Sequence, residues 1–168
     1  MSDSDYILDE ELLASNNKRF LNYIIDHIFF FILIILFGAV LGILISLFNI
    51  TSVAIWMESL GDFGWNFIAL IISISYYTLF EGIFGRTFGK LITGTVVVDE
   101  NGMKPGFGRI FKRSLCRLIP FNAFSFLFNP GFGWHDSITD TYVVDKKSLQ
   151  ESIKLFDDFK LIGRQETD

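Results

Sequence analysis

Residues 19–42 read RFLNYIIDHIFFFILIILFGAVLG, an almost unbroken apolar run that carries an aspartate and a histidine, Asp26 and His27, near its start. A helix in lipid does not tolerate a bare carboxylate, so the rest of the fold has to give Asp26 protein, water or a partner to face. The apolar part continues from Ile28 to Ile50, about 23 residues, enough to cross a hydrocarbon layer of roughly 30 Å. The preceding residues 1–17 carry Asp3, Asp5, Asp9, Glu10 and Glu11 and no basic residue. A secretory signal would instead begin with positive charge and close its short apolar core at small residues. The segment therefore reads as a spanning helix, about residues 23–48, behind a disordered or loosely helical acidic tail.

The totals agree with a membrane protein. A chain of 168 residues with 20 phenylalanines and a mean hydropathy of +0.43 is one domain, too apolar for an ordinary soluble fold. The net charge of −5 argues against nucleic acid as the main partner. A lone Cys116 excludes an internal disulfide framework and a multi-cysteine metal site, and it reads as an idle thiol although Arg113 and Arg117 flank it.

A second apolar run, about residues 63–84, is interrupted only late, by Glu81 and Gly82, and also meets the length of a span. The connection between the runs has Glu58 and Asp62 but no Lys or Arg, whereas Lys18 and Arg19 precede the first run and Arg86 and Lys90 follow the second. Basic flanks mark the cytoplasmic side, which places both termini inside and the connection outside, with Trp56 and Trp65 at the outer interface. After the second run, the β-branched Thr95–Val98 leads into a turn at Asp99, Asn101 and Gly102, and Thr141–Val144 repeats the pattern. Two short strands pairing in a small cytoplasmic sheet follow from this.

Between these strands lies GFGRIFKRSLCRLIPF, with Arg109, Lys112, Arg113 and Arg117 at helical spacings that put all four on one face and Phe107, Ile110, Phe111, Leu115, Leu118 and Ile119 on the other. Four cations exclude a lone span. An interfacial helix over about 107–119, its basic face on anionic headgroups of the inner leaflet, fits better. Pro120 ends it, and the apolar stretch that follows leaves a third span or a re-entrant segment open for residues 107–129. Residues 147–168 form an amphipathic helix and tail, opened by a capping pair Ser148 and Glu151 and closed at Gly163.

Gly38, Gly42 and Ser46 on the first span and Ala69 and Ser73 on the second are spaced four apart. They read either as a face for a second copy or as packing of one span on the other. GRTFGKLITG fails as a phosphate loop, since Phe84 and Leu91 stand where a Gly and a Ser or Thr are required. His27 and His135 have no short spacing that would suggest a metal. Arg19 and Asp26 are seven residues apart, on one helix face and about 10.5 Å apart along the axis. Asp26 then reads either as a structural tie or as a protonatable group for transport, with Glu81 as a second acid.

Arg19 opening the first helix, Asp26 within it, GRTFGKLITGTVVVDENG, and HDSITDTYVV behind an arginine-rich helix together resemble the RDD family of bacterial membrane proteins. The likeness runs from about residue 17 to 146. It implies an arginine at Arg19, a first aspartate at Asp26 and a second at Asp136, with an inner-membrane location and no settled activity. The stretch between Phe121 and Gly133 is shorter and less apolar than the third span of other family members. The fold expected is an all-α integral membrane protein with a small β element: tail 1–17, membrane domain 18–146, C-terminal helix 147–168. Arg19, Asp26 and Asp136 are expected to meet near the inner boundary, joined by Arg86, Glu81 and His135. The function expected is a non-enzymatic membrane module built on that cluster, with no cofactor and with membrane lipids as partners, as a monomer or as a homo-oligomer. An oligomeric ion-coupled exchanger using Asp26, and a lipid-binding or assembly factor using the basic helix, are the other two readings.

The charge asymmetry makes a topological prediction. A cysteine introduced at Ser59 is expected to react with an impermeant reagent on intact cells, and one at Ser148 is not. Labelling at Ser148 from outside would overturn the two-span topology.

Overall fold

A computed structural model of the chain describes residues 6–119 and 133–165. Its first helix, α1 (Asn16–Phe48), is 33 residues long, about 50 Å at 1.5 Å per residue. It begins a turn or two before the apolar run, because Ser15 caps it and residues 16–27 continue the helix below the purely apolar part. Asn49 adopts a left-handed conformation and ends it. The connection that follows is not a plain loop but a short helix, α2 (Thr51–Ser59), leading directly into α3 (Gly61–Phe84). Both α1 and α3 are long and apolar enough to span a membrane. Their outward side chains, Phe31, Ile35, Val40 and Leu47 on α1 and Phe67 and Ile71 on α3, are large, apolar and exposed.

Gly85, at φ 69°, turns the chain out of α3, and a side chain there would be strained. Next comes α4 (Phe88–Thr93), then β1 (Thr95–Val98), α5 (Phe107–Cys116), α6 (Trp134–Ser137), β2 (Tyr142–Asp145) and α7 (Lys146–Gln165). β1 and β2 pair antiparallel, Thr95 opposite Asp145 and Val98 opposite Tyr142. The second strand begins one residue later than its β-branched run suggests. Residues 6–14, which sequence reading assigned to a disordered or loosely helical tail, add an isolated bridge to this two-stranded sheet: Leu13 bridges Val144, Ala14 N–H donates to Val143 O and Leu8 N–H to Glu100 O, with a 3-10 helical turn at Glu10–Leu12 between them. Residues 6–14 are therefore docked along β2, with Tyr6 hydrogen-bonded to Ser152 on α7. Apolar burial holds the segment there, since Leu8, Leu12 and Leu13 all pack against the Val98–Val144–Leu149 core.

Two further expectations are corrected. α7 is opened by Asp145, whose carboxylate accepts from the N–H groups of Lys147 and Ser148, rather than by the Ser148–Glu151 pair, and its backbone runs through Gly163. An acceptor at the last strand residue reaches the free amides one turn earlier than Ser148 could. The small-residue stripes do not pack α1 on α3 at Gly38 or Gly42, where a Cβ would meet nothing within 4 Å. Of the stretch 107–129 that left a third span or re-entrant segment open, residues 120–129 lie outside the described residues.

The N-terminal segment, β2, α4 and α6 all gather at the same end of α1, the end carrying Arg19 and Asp26. These elements, with α5 and α7, form a cap on the two long apolar helices. The closest approach is at Gly89, where a Cβ would sit 2.5 Å from Asn22 O and 3.0 Å from Asp26 Oδ1. Gly89→Ala is expected to destabilise the protein by about 1–3 kcal/mol through overpacking, read as a lower unfolding midpoint in detergent. An unchanged midpoint would mean that α4 does not press on α1 as described.

Candidate functional site

The cap meets the spans through a buried polar network. Asp26, 1% exposed, receives the Thr87 hydroxyl at 2.6 Å, the Gly89 amide at 2.7 Å and the Tyr76 hydroxyl at 3.1 Å. Thr87 and Gly89 belong to the start of α4, so Asp26 caps that helix from a neighbouring one, a favoured place for a carboxylate. One turn earlier Asn22 donates to the Thr95 hydroxyl at 3.0 Å and accepts from that of Thr93. The acid in the opening stretch is thus satisfied by the segment that resembles, but is not, a phosphate loop.

A second layer is ionic. Glu81 on α3 is fully buried and accepts from Lys90 at 2.8 Å, Arg117 at 2.6 Å and Arg113 at 3.2 Å. Arg113 also donates to Asp136 and to the Thr141 hydroxyl. Asp136 in turn takes Arg19 at 2.6 Å and the Gly133 amide at 2.9 Å. Arg19 spends its other donors on the Ala14 and Val143 carbonyls, each at 3.2 Å. The result is one chain of charges, Lys90–Glu81–Arg113–Asp136–Arg19, crossing α4, α3, α5, α6 and α1. Arg117 adds a cation–π contact, 4.0 Å above the Tyr77 ring.

Environment sets the protonation of the cap groups. Burial would by itself raise Asp136, but Arg113, His135 and Arg19 hold it well below the usual carboxylate range. Burial also opposes charge on Arg117, yet Glu81 keeps it above its ordinary range. For Lys90 burial prevails and draws it below its ordinary range, against the pull of Glu81. Burial pushes His135 well below its own, with Asp136 opposing and Arg113 reinforcing the effect.

The residues singled out in the sequence separate into three groups. Arg19 and Asp136 meet directly, and Glu81 and His135 lie in the same network, His135 3.7 Å from Asp136. Asp26 joins neither arginine; neutral and backbone donors of α3 and α4 hold it one layer away. Arg86 is half-buried and forms no ion pair with these acids among the described residues.

The expectation of four headgroup-binding cations is corrected at Arg113 and Arg117. Arg113 is wholly buried and Arg117 mostly so, because Glu81 and Asp136 offer desolvated carboxylates at bonding distance, a stronger partner than a hydrated headgroup. Arg109 and Lys112 stay outside, Arg109 on Glu100 at 2.9 Å. The outward side of α5 is therefore mixed, with Phe107, Phe111 and Leu115 exposed beside Arg109 and Lys112. Sequence reading missed Lys90, Thr87, Asn22 and Thr141. The signal available for Thr87 was its place before a short helix, where an external carboxylate can bind.

A cavity of about 140 Å³ opens beside the network, lined among others by Arg19, Tyr23, Asp26, Lys90, Arg113 and Arg117. Arg113 Nη2 and Arg117 Nε are buried and donate to no acceptor among the described residues, a cost of about 1–3 kcal/mol for each such group.

A family model described as RDD family matches residues 13–139. No curated protein and no solved structure matches the chain.

His135 provides a pH test. In the unfolded chain an imidazole takes up its proton near the ordinary value of 6.5, while the buried one titrates well below that. The unfolded state therefore binds more protons as pH falls below 6.5, and stability declines by up to about 1.4 kcal/mol per pH unit until the folded value is reached. His135→Gln is expected to flatten the fall in unfolding midpoint between about pH 6.5 and 5. The same slope in wild type and His135→Gln would overturn this assignment.

Proposed function

The chain belongs to the RDD family, and on that premise we propose that it is a non-catalytic inner-membrane module whose two spans carry a cytoplasmic cap, joined to them by the Arg19–Asp136 and Asp26 nodes. The observation that supports this reading most is the occupancy of the acids. Asp26, Glu81 and Asp136 each accept three or more fixed donors. A carboxylate held in that way ties segments together. A proton carrier needs one that gives up and regains its proton with access to either side, and the middle of the spans is apolar apart from Ser46, Ser73 and Ser75. The return of α5, α6 and β2 to the Arg19 end of α1 favours two crossings and termini on one side. The basic flanks make that side cytoplasmic.

Substitution at Asp26 separates the tie from transport. Asp26→Leu strands three donors and is expected to destabilise the protein by roughly 3–5 kcal/mol, while Asp26→Asn, which still accepts, loses less. Neither the wild type nor Asp26→Asn is then expected to support a pH-driven cation flux in proteoliposomes. A pH-dependent flux abolished in a stable Asp26→Asn, together with an oligomeric mass in native-like lipid, would establish the exchanger reading instead.

A further inference from the structure

We propose that the cavity between α1, α3 and α5 is a binding site for one singly charged oxyanion of phosphate type, held by Arg113 and Arg117. The first observation is the pair of buried donors, Arg113 Nη2 and Arg117 Nε, on two arginines that line the cavity. Arg113 is held rigidly, since its other nitrogens are committed to Glu81, Asp136 and Thr141. Arg117 is held by Glu81 and the Tyr77 ring. Donors fixed in this way are preorganised for an acceptor, and the guanidinium fork matches an oxyanion.

The second observation is charge. Arg19, Lys90, Arg113 and Arg117 are four cations, and Asp26, Glu81 and Asp136 are three carboxylates. One positive charge is left over in a region shielded from water, where one negative charge would balance it. The acids cannot compete for the site. Glu81 and Asp136 are bonded to the arginines, and both oxygens of Asp26 are taken by Thr87, Gly89 and Tyr76. The third observation is size and place. About 140 Å³ is well above the roughly 10–15 Å³ of such volume that one water needs, so the cavity has room for a phosphate group. The cavity lies beside residues 19–27 of α1, just before its purely apolar part, where lipid phosphodiesters also lie. Tyr23 and His27, hydrogen-bonded at 3.5 Å, stand at its α1 wall.

The ligand chemistry has two sources, a lipid headgroup phosphodiester or a free phosphate, and one experiment separates them. The full-length protein in phosphate-free nonionic detergent is melted with added inorganic phosphate, with phosphatidylglycerol micelles, with phosphatidylcholine micelles, or with sodium chloride at equal ionic strength. A rise of about 3–5 °C at ten times the dissociation constant is expected. A response to inorganic phosphate assigns the site to a free anion, and a response to phosphatidylglycerol alone assigns it to the headgroup. Arg117→Lys keeps the charge beside Glu81 but lacks Nε, and is expected to weaken binding about tenfold, while the exposed Lys112→Gln leaves it unchanged. A rise no larger than that with chloride, or an undiminished response in Arg117→Lys, would overturn the proposal. If that variant does not fold, the chloride comparison in the wild-type protein decides alone.

Discussion

Arg113 stands between two buried carboxylates, Glu81 on the second span and Asp136 in the cap, and donates to both. Removing three ions from water is expensive, and only close mutual bonding repays it. That condition is met only if α3, α5 and α6 come together at once. Arg19 extends the requirement to α1 and Lys90 extends it to α4. No single pair holds the cap in place. The helices around Arg113 cohere because any one of them leaving would strand a charge, at a cost of about 3–5 kcal/mol.

This constraint explains the polarity of α5. In a soluble protein an amphipathic helix buries its apolar side. Here the buried positions are Ile110, Arg113 and Ser114, while Phe107, Phe111 and Leu115 are exposed together with Arg109 and Lys112. Glu81 and Asp136 draw Arg113 inward at close bonding distance, and the apolar side chains it displaces are left outside.

Much of the architecture was legible because it is local. Both spans, the strand Thr95–Val98 and the start of α5 follow from runs and breakers within a few residues. The sense that Asp26 needs partners was also legible, and so was the family. The choice of partners was not. Lys90 looked like a topological flank and Arg113 and Arg117 like headgroup ligands, since nothing within a turn of either announces Glu81 or Asp136. Thr87 and Gly89 bind an acid 61 and 63 residues earlier, a pairing that only the crossing of α4 over α1 creates. The docking of residues 6–14 was not legible for a similar reason: their leucines have no partner until β2 lies beside them.

That last pairing has a consequence for how the protein is made. Residues 6–14 leave the ribosome first, yet the strand they lie against, Tyr142–Asp145, is synthesised some 130 residues later. At ribosomal rates of roughly 5–20 residues per second, the first helix enters the membrane many seconds before its own leading segment has a mate. During that interval Leu8, Leu12 and Leu13 lack the Val98–Val144–Leu149 core they pack on in the folded protein, so the segment closes onto the cap only as one of the last steps of folding.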